Sequence, residues 1–337
     1  MSKFGIIRCP AGAIQFILEG EAGLFLEPDR HGTSREGVGM PSETLISLHA
    51  GTARLRVAAG IGGSIVDWLV DGLPVLRPPS ASDLAECNPR LLGSYPLVPY
   101  QNRIAGGAFS WAGRDHQLPH NFGDKPYAIH GVGWQRAWQV ASAADDEAIL
   151  ALDHDPAMHS GWPFRFRANQ RFRLSPGSLE VTTSVENTDC LPWPAGLGHH
   201  PYFPRTRQTT LQFDAEAVWL SGADEMPTGR VPVPDRWNCR TARPVCDLRV
   251  DHCFAGWRQP ARIHWPEQRR SLDISADPAF GHLIVFVPEG RDYFCVEPVT
   301  HMSDAIHWLD RRDDTGLKLL APGEKLEGTI QFDLLPA

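Results

Sequence analysis

Five short stretches of this chain set ionisable side chains among apolar ones, and such settings are where proton-transfer and binding chemistry tends to sit. Asn102-Arg103 lies between Pro96-Leu97-Val98-Pro99-Tyr100 and Ile104. His130 stands between Ala128-Ile129 and Gly131, and the pair His199-His200 runs into Pro201-Tyr202-Phe203. Asp251 follows Val250, and Glu297 follows the apolar run Phe294-Cys295-Val296. A lone His or Asp in such a place is more often a hydrogen-bonded structural residue. Glu297 is harder to set aside, because a carboxylate on a buried strand is costly unless it is paired or used. Carboxylates and imidazoles exchange protons near neutral pH, and imidazoles also hold metals. The spacings H-x-H, H-E-x-x-H and H-x-x-E-H do not occur, so no metal site is expected.

Other chemical signatures are missing. Gly60-Ile61-Gly62-Gly63 is not G-x-G-x-x-G and is followed by a strand, so it reads as a tight turn. There is no P-loop and no G-x-S-x-G nucleophile elbow. Arg165, Arg167, Arg171 and Arg173 share parity and point to one face within each strand. With no glycine-rich nest nearby, that face reads as solvated rather than anion-binding.

The elements that must position these groups are strands. Gly 31 and Pro 29 among 337 residues imply many turns, and 11 Trp against 5 Tyr imply a β-architecture able to stack on planar or sugar-like ligands. Ala53 to Val57 alternates, Ser64 to Val70 follows, and Asp71-Gly72 is a hairpin signal. Phe164 to Arg167, Arg171 to Leu174, Leu179 to Val185, Leu283 to Val287, Phe294 to Val296 and Thr329 to Phe332 read as further strands. Only short helical turns are expected, near Ser82 to Glu86 and Ser303 to Ile306. Many strands with turn punctuation give an all-β sandwich or barrel. Residues 1–42 show no sustained period and read as a loosely packed N-terminal extension, with Met40 as a candidate natural start. Residues 43–337 show no composition break and read as one β-domain.

Composition removes several classes. A net charge of −8 gives no basic footprint for nucleic acid. No apolar run approaches the ~20 residues of a membrane span, and no signal peptide is visible. Seven scattered Cys without C-x-x-C read as reduced thiols in a cytoplasmic protein.

Taken in order, the five patches resemble the aldose 1-epimerase (galactose mutarotase) family. The resemblance runs from about Leu45 to the C-terminus. It is carried by Asn102-Arg103-Ile104, Gly107-x-Phe109, Gly113, Ile129-His130-Gly131 with Trp138, His200-Pro201-Tyr202-Phe203, Asp251, Glu297-Pro298, Asp304-Ala305 and Ala321-Pro322-Gly323-Glu324. It implies a large antiparallel β-sandwich of the galactose mutarotase-like supersandwich type. It also implies cofactor-independent interconversion of the α and β anomers of a free monosaccharide, by a monomer or homodimer. By carry-over, Glu297 would be the general base, His200 the general acid, and His130 would assist at the ring oxygen and C1. Arg103, Asp251 and Tyr202 would bind the sugar, with Asn102 positioning Arg103. Neighbours in a strand face opposite ways, so only one of His199 and His200 can face a cleft; the pattern His-x-Tyr-Phe selects His200. Pro204, His301 and His307 depart from the usual pattern and bear on which sugar is used. A phosphorylated or sulfonated sugar, or a sugar-binding module without turnover, are the alternatives. Trp134, Trp193 and Phe109 are candidate stacking residues, with a place in the core at least as expected, because Trp is mostly buried.

Overall fold

The computed structural model describes residues 45–311 and 314–336. The N-terminal extension and the Met40 start lie outside them. The protein is built from antiparallel strands, as expected. A four-stranded sheet runs Leu45–Ala50, Ala53–Ala58, Ser64–Val70 and Leu73–Pro74. The Asp71-Gly72 hairpin has φ of 53° and 75°, the paired left-handed turn that matches strand twist. This sheet packs on a fifteen-stranded one. Leu48, Leu55, Val57 and Trp68 share one core with Phe172, Val181, Ile330 and Phe332, and Trp68 meets Phe332 edge-on at 6.3 Å. Full burial of one such side chain is worth ~1.5–3 kcal/mol.

The large sheet is closed by its last element. Phe166–Ser175 pairs with Ser178–Asn187, and the C-terminal strand Lys325–Pro336 inserts between Ser178–Asn187 and Arg270–Ala276. From there the order continues through Val250–Trp265, His282–Val287 and Tyr293–Val299. The terminal strand therefore joins the two halves of the sheet, which no local pattern in the sequence announces.

Alternation decides which side each strand buries. In Phe166–Ser175, Phe166, Ala168, Gln170, Phe172 and Leu174 face the core. The arginines of opposite parity face out and meet carboxylates: Arg165 with Asp155 at 3.1 Å, Arg167 with Asp153 at 2.9 Å, and Arg171 with Glu147 at 2.5 Å. Such surface pairs contribute ~0–1 kcal/mol each, and the face is solvated rather than anion-binding. The short helical turns fall at Ala81–Ala85, with Ser80 and Asp83 forming a capping box, and at Ala305–Trp308. Cys87, Cys190, Cys239, Cys246, Cys253 and Cys295 are free thiols. Among the described residues no helix is long and apolar enough to cross a membrane.

The buried histidines set how the fold responds to acid. Burial pushes His199 and His301 down to about 3 and His282 down to about 4. Burial, then the nearby His200, Arg103 and Arg90, push His130 well below its ordinary value. Each is neutral when folded but takes a proton at about 6.5 when unfolded, so the unfolded chain binds more protons and stability falls as pH falls. Each such proton steepens the loss by ~1.4 kcal/mol per pH unit. Thermal melts from pH 7 to 4 should show a steep drop beginning near pH 6.5; a flat melting temperature down to pH 4.5 would contradict buried neutral histidines.

Candidate active site

The register of the large sheet brings distant residues into two adjacent rows. Trp219, Cys253, Ile284 and Glu297 are successive partners across Thr210–Ser221, Val250–Trp265, His282–Val287 and Tyr293–Val299. One step along, Asp251, Phe286, Cys295 and Tyr202 are partners in the same way. Directly opposed residues share a face, as do residues two apart, so both rows project from one side of the sheet. Asp251 and Glu297 line one cleft for that reason.

Two loops complete the site from outside the sheet. Arg103–Ala105 pairs with Tyr127–Ile129, which sets Asn102 beside His130. Both adopt left-handed backbone, with φ of 55° and 62°, a conformation in which Asn and His are enriched among non-glycine residues. The His130 N–H donates to the Asn102 carbonyl at 2.9 Å, and the Asn102 N–H donates to His130 Nδ1 at 3.1 Å. That second bond fixes the tautomer: Nδ1 accepts, so the proton of the neutral ring sits on Nε2. Asn102 Oδ1 accepts from the Arg103 N–H (2.9 Å), Arg103 Nη1 (3.2 Å) and Ser303 Oγ (2.9 Å). Gly131 follows at φ 66°, and a Cβ there would lie 2.3 Å from the Val98 carbonyl oxygen. Gly131→Ala should therefore push the His130 loop out of place and destabilise by roughly 2 kcal/mol or more, combining left-handed strain with a backbone clash. Denaturant melts check this; an unchanged midpoint would contradict it.

Arg103, Asn102, His130, His200, Tyr202, Asp251 and Glu297 all line one cleft of about 280 Å³. All seven site residues expected from the sequence are thus brought together. His200 and Glu297 form its floor. His200 Nε2 lies 3.4 Å from Glu297 Oε1, with Glu297 2% exposed. Tyr95 and Tyr202 each stack against the His200 ring with centroids 4.7 Å away, and the Tyr95 carbonyl accepts the His200 N–H at 2.9 Å. His199 faces the other way, into the core, where Ser94 Oγ and Gln170 Oε1 hold its two nitrogens at 2.5 and 3.2 Å.

Electrostatics divide the cleft. On the floor, burial favours neutral forms. It raises the Glu297 carboxyl well above its ordinary value, with Asp251 adding and Arg103 opposing. It lowers His200 to about 3, helped by the charges of Arg77 and Arg90. The wall carries ion pairs. Arg103 lies 3.7 Å from Asp251 and 3.3 Å from Glu225, the latter without hydrogen-bond alignment. Burial works to raise Glu225, but Lys125 (2.6 Å), the Tyr127 hydroxyl (2.7 Å) and Arg103 outweigh it and hold the carboxyl low.

Several wall residues were not expected from the sequence: Tyr95, Arg90, Lys125, Phe122, Tyr127, Glu225, Phe286 and Tyr293. Parity carried a signal for Tyr293, which shares the face of Glu297 by counting back in twos. Glu225 and Lys125 sit in turns and gave none. The candidate stacking residues do not line the cleft. Trp193 and Phe109 are buried in the core, packed on Trp162, and Trp134 is buried behind Tyr95. Tryptophan here is core material, because its large apolar area is best used by full burial. His301 is likewise structural: its Nε2 accepts from the Gln101 N–H at 3.2 Å and its Nδ1 meets the Met302 carbonyl at 2.7 Å. His307 bridges Asp304 Oδ1 (2.7 Å) and the Ala108 carbonyl (2.9 Å), and the Asp304 hydrogen bond raises its proton affinity. Donor atoms of His200, Cys295 and Glu297 lie within 4.8 Å of one another, a grouping no spacing in the sequence signals.

Comparison with known proteins agrees with this geometry. Residues 44–333 match the family model for aldose 1-epimerase. The uncharacterized protein YphB of Escherichia coli K12 is 32% identical over 290 residues, covering 83% of this chain and 95% of that protein. A solved Escherichia coli K12 protein, provisionally described as an aldose 1-epimerase, superposes with a TM-score of 0.78 at 31% identity, covering 87% of this chain and 99% of its own. A galactose mutarotase-like protein of Clostridium acetobutylicum shares the fold with a TM-score of 0.76 at 20% identity, over 87% of this chain and 95% of that one. The chain belongs to the aldose 1-epimerase family.

Proposed function

We propose that the protein interconverts the α and β anomers of a free monosaccharide by opening and reclosing its ring. The observation that supports this reading best is the His200–Glu297 pair at 3.4 Å on the floor of a cleft of pyranose size. Ring opening removes the C1 hydroxyl proton and delivers a proton to the ring oxygen. The aldehyde then turns about C1–C2, and closure runs the same transfers in reverse. One group must act as base while another acts as acid, and they exchange roles on closure.

The pair supplies this with a single proton. With the cleft empty, burial favours Glu297 protonated and His200 neutral. Sugar hydroxyls that hydrogen-bond to the carboxylate favour its ionised form. Moving the proton to His200 Nε2 then gives Glu297 as base and His200 as acid. His130, with its proton on Nε2, donates toward the ring oxygen and C1 region. Arg103 and Asp251 hold hydroxyls at the far wall, Tyr202 packs at the floor, and Asn102 fixes Arg103 through its Oδ1. Nothing is oxidised, so the chemistry calls for no redox cofactor.

A second reading has its own observation. Arg90 and Lys125 line the cleft, and the Arg90 guanidinium stacks 4.1 Å over Phe122 and pairs with no carboxylate among the described residues. A phosphate or sulfonate remote from C1 would meet Arg90 there. The test follows freshly dissolved anomers to equilibrium, with and without protein, for glucose, galactose, arabinose, glucose 6-phosphate and sulfoquinovose. Acceleration of neutral sugars supports the first reading, and acceleration confined to the anionic ones supports the second. Sugar binding without acceleration would leave a binding module and overturn both.

A further inference from the structure

The Cys295 thiol is fully buried, plays no part in the proton transfers above, and sits two residues before Glu297 on the same face of one strand. His200 reaches the same point from the turn between Gly198–His199 and Tyr202–Pro204. The sulfur, nitrogen and oxygen donors lie within 4.8 Å of one another. Ligands around a tetrahedral zinc are roughly 3.5 Å apart, so closure by about 1 Å completes a trio. The pocket also holds unused ligand capacity. Glu297 Oε2 is buried without a hydrogen-bond partner, on a side chain 2% exposed. Such an orphaned carboxylate oxygen is costly unless something occupies it.

We propose that His200, Cys295 and Glu297 form an inhibitory site for a thiophilic divalent cation of the zinc class, with its fourth position open to the cleft. One thiolate, one imidazole and one carboxylate match zinc, whereas magnesium and calcium take oxygen ligands. Binding releases the thiol proton and the proton shared by Glu297 and His200 to solvent, because all three ligands coordinate deprotonated. The metal then occupies the lone pairs that the proton transfer uses, and turnover stops. Metal binding stands on the three side chains alone; inhibition rests on the mutarotase reading.

The experiment separates the two. Chelator-treated protein is titrated calorimetrically with zinc and with magnesium, and separately with cobalt(II) while the near-ultraviolet spectrum is recorded. One zinc per chain, no magnesium binding and a sulfur-to-cobalt charge-transfer band are expected. Cys295→Ala should lose the band and weaken zinc at least about 100-fold, the upper end of the loss from merely removing an outer-shell partner. Cys295→Ser, which keeps the volume, guards against loss of packing and should behave alike. Both variants should keep basal anomer interconversion and escape zinc inhibition. Absent zinc binding, a missing cobalt band, or zinc affinity unchanged in both variants would each overturn the site, whatever the sugar assays show. Zinc bound through Cys295 without loss of turnover would overturn the inhibitory role.

Discussion

Glu297→Gln should slow anomer interconversion by roughly 10²- to 10⁴-fold, the range that one positioned acid–base group contributes. The amide matches the carboxyl in shape, so the cleft should keep its form, but it cannot accept the C1 hydroxyl proton. Stability should report the same substitution with an independent sign. Burial raises the folded-state affinity of Glu297 for its proton. Its contribution is therefore present below the unfolded value of ~4.3 and is lost as pH rises toward the folded value. Gln cannot ionise, so the variant should lose less stability than wild type as pH rises above ~4.3. Polarimetry at pH 7 and paired melts at pH 5 and 7 check both parts. A variant that interconverts anomers at the wild-type rate would remove Glu297 from the mechanism.

His200→Asn should cost a similar factor, and the double variant His200→Asn/Glu297→Gln should be little worse than either alone. Two groups that share one proton act as a unit, and losses within a unit do not add. Full additivity of the two losses would mean that the side chains act separately. The pH profile of kcat/KM carries a further signature. With His200 pushed to about 3 by burial, the acid limb should lie well below the ~6.5 of an ordinary imidazole. A limb near 6.5 in the wild type, lost in His200→Asn, would show that the working imidazole is solvated. The acid side must be read with the melts, because the buried histidines weaken the fold in the same direction.

Local order told much of the architecture. Ser64–Val70 and its Asp71-Gly72 turn, Leu283–Val287 and the run before Glu297 all form strands. Alternation in Phe166–Ser175 also told which side its arginines take. The sixteen-residue strand Val250–Trp265 was less legible, because Gly256 at φ 64° and Pro260 interrupt its pattern. The aromatic wall was not legible for a physical reason. Tryptophan count says how much apolar area must be buried, not which rings remain at a ligand surface. Tyrosines and phenylalanines at cleft parity, Tyr202, Phe286 and Tyr293, take that place.

By itself the sequence determined an all-β chain, which carboxylate and imidazoles stand in apolar settings, and a family likeness from their order along the chain. It did so because strand period and turn chemistry are local properties. Only the tertiary structure decided that Glu297 lies 3.4 Å from His200 and that His199 turns inward to Ser94 and Gln170. It also supplied Glu225 and Lys125 to the wall and brought Cys295 within ligand distance of the floor. These are matters of sheet register and loop closure between segments about a hundred residues apart. Burial then sets their proton affinities, because the cost of a charge depends on what surrounds it rather than on its neighbours in the chain.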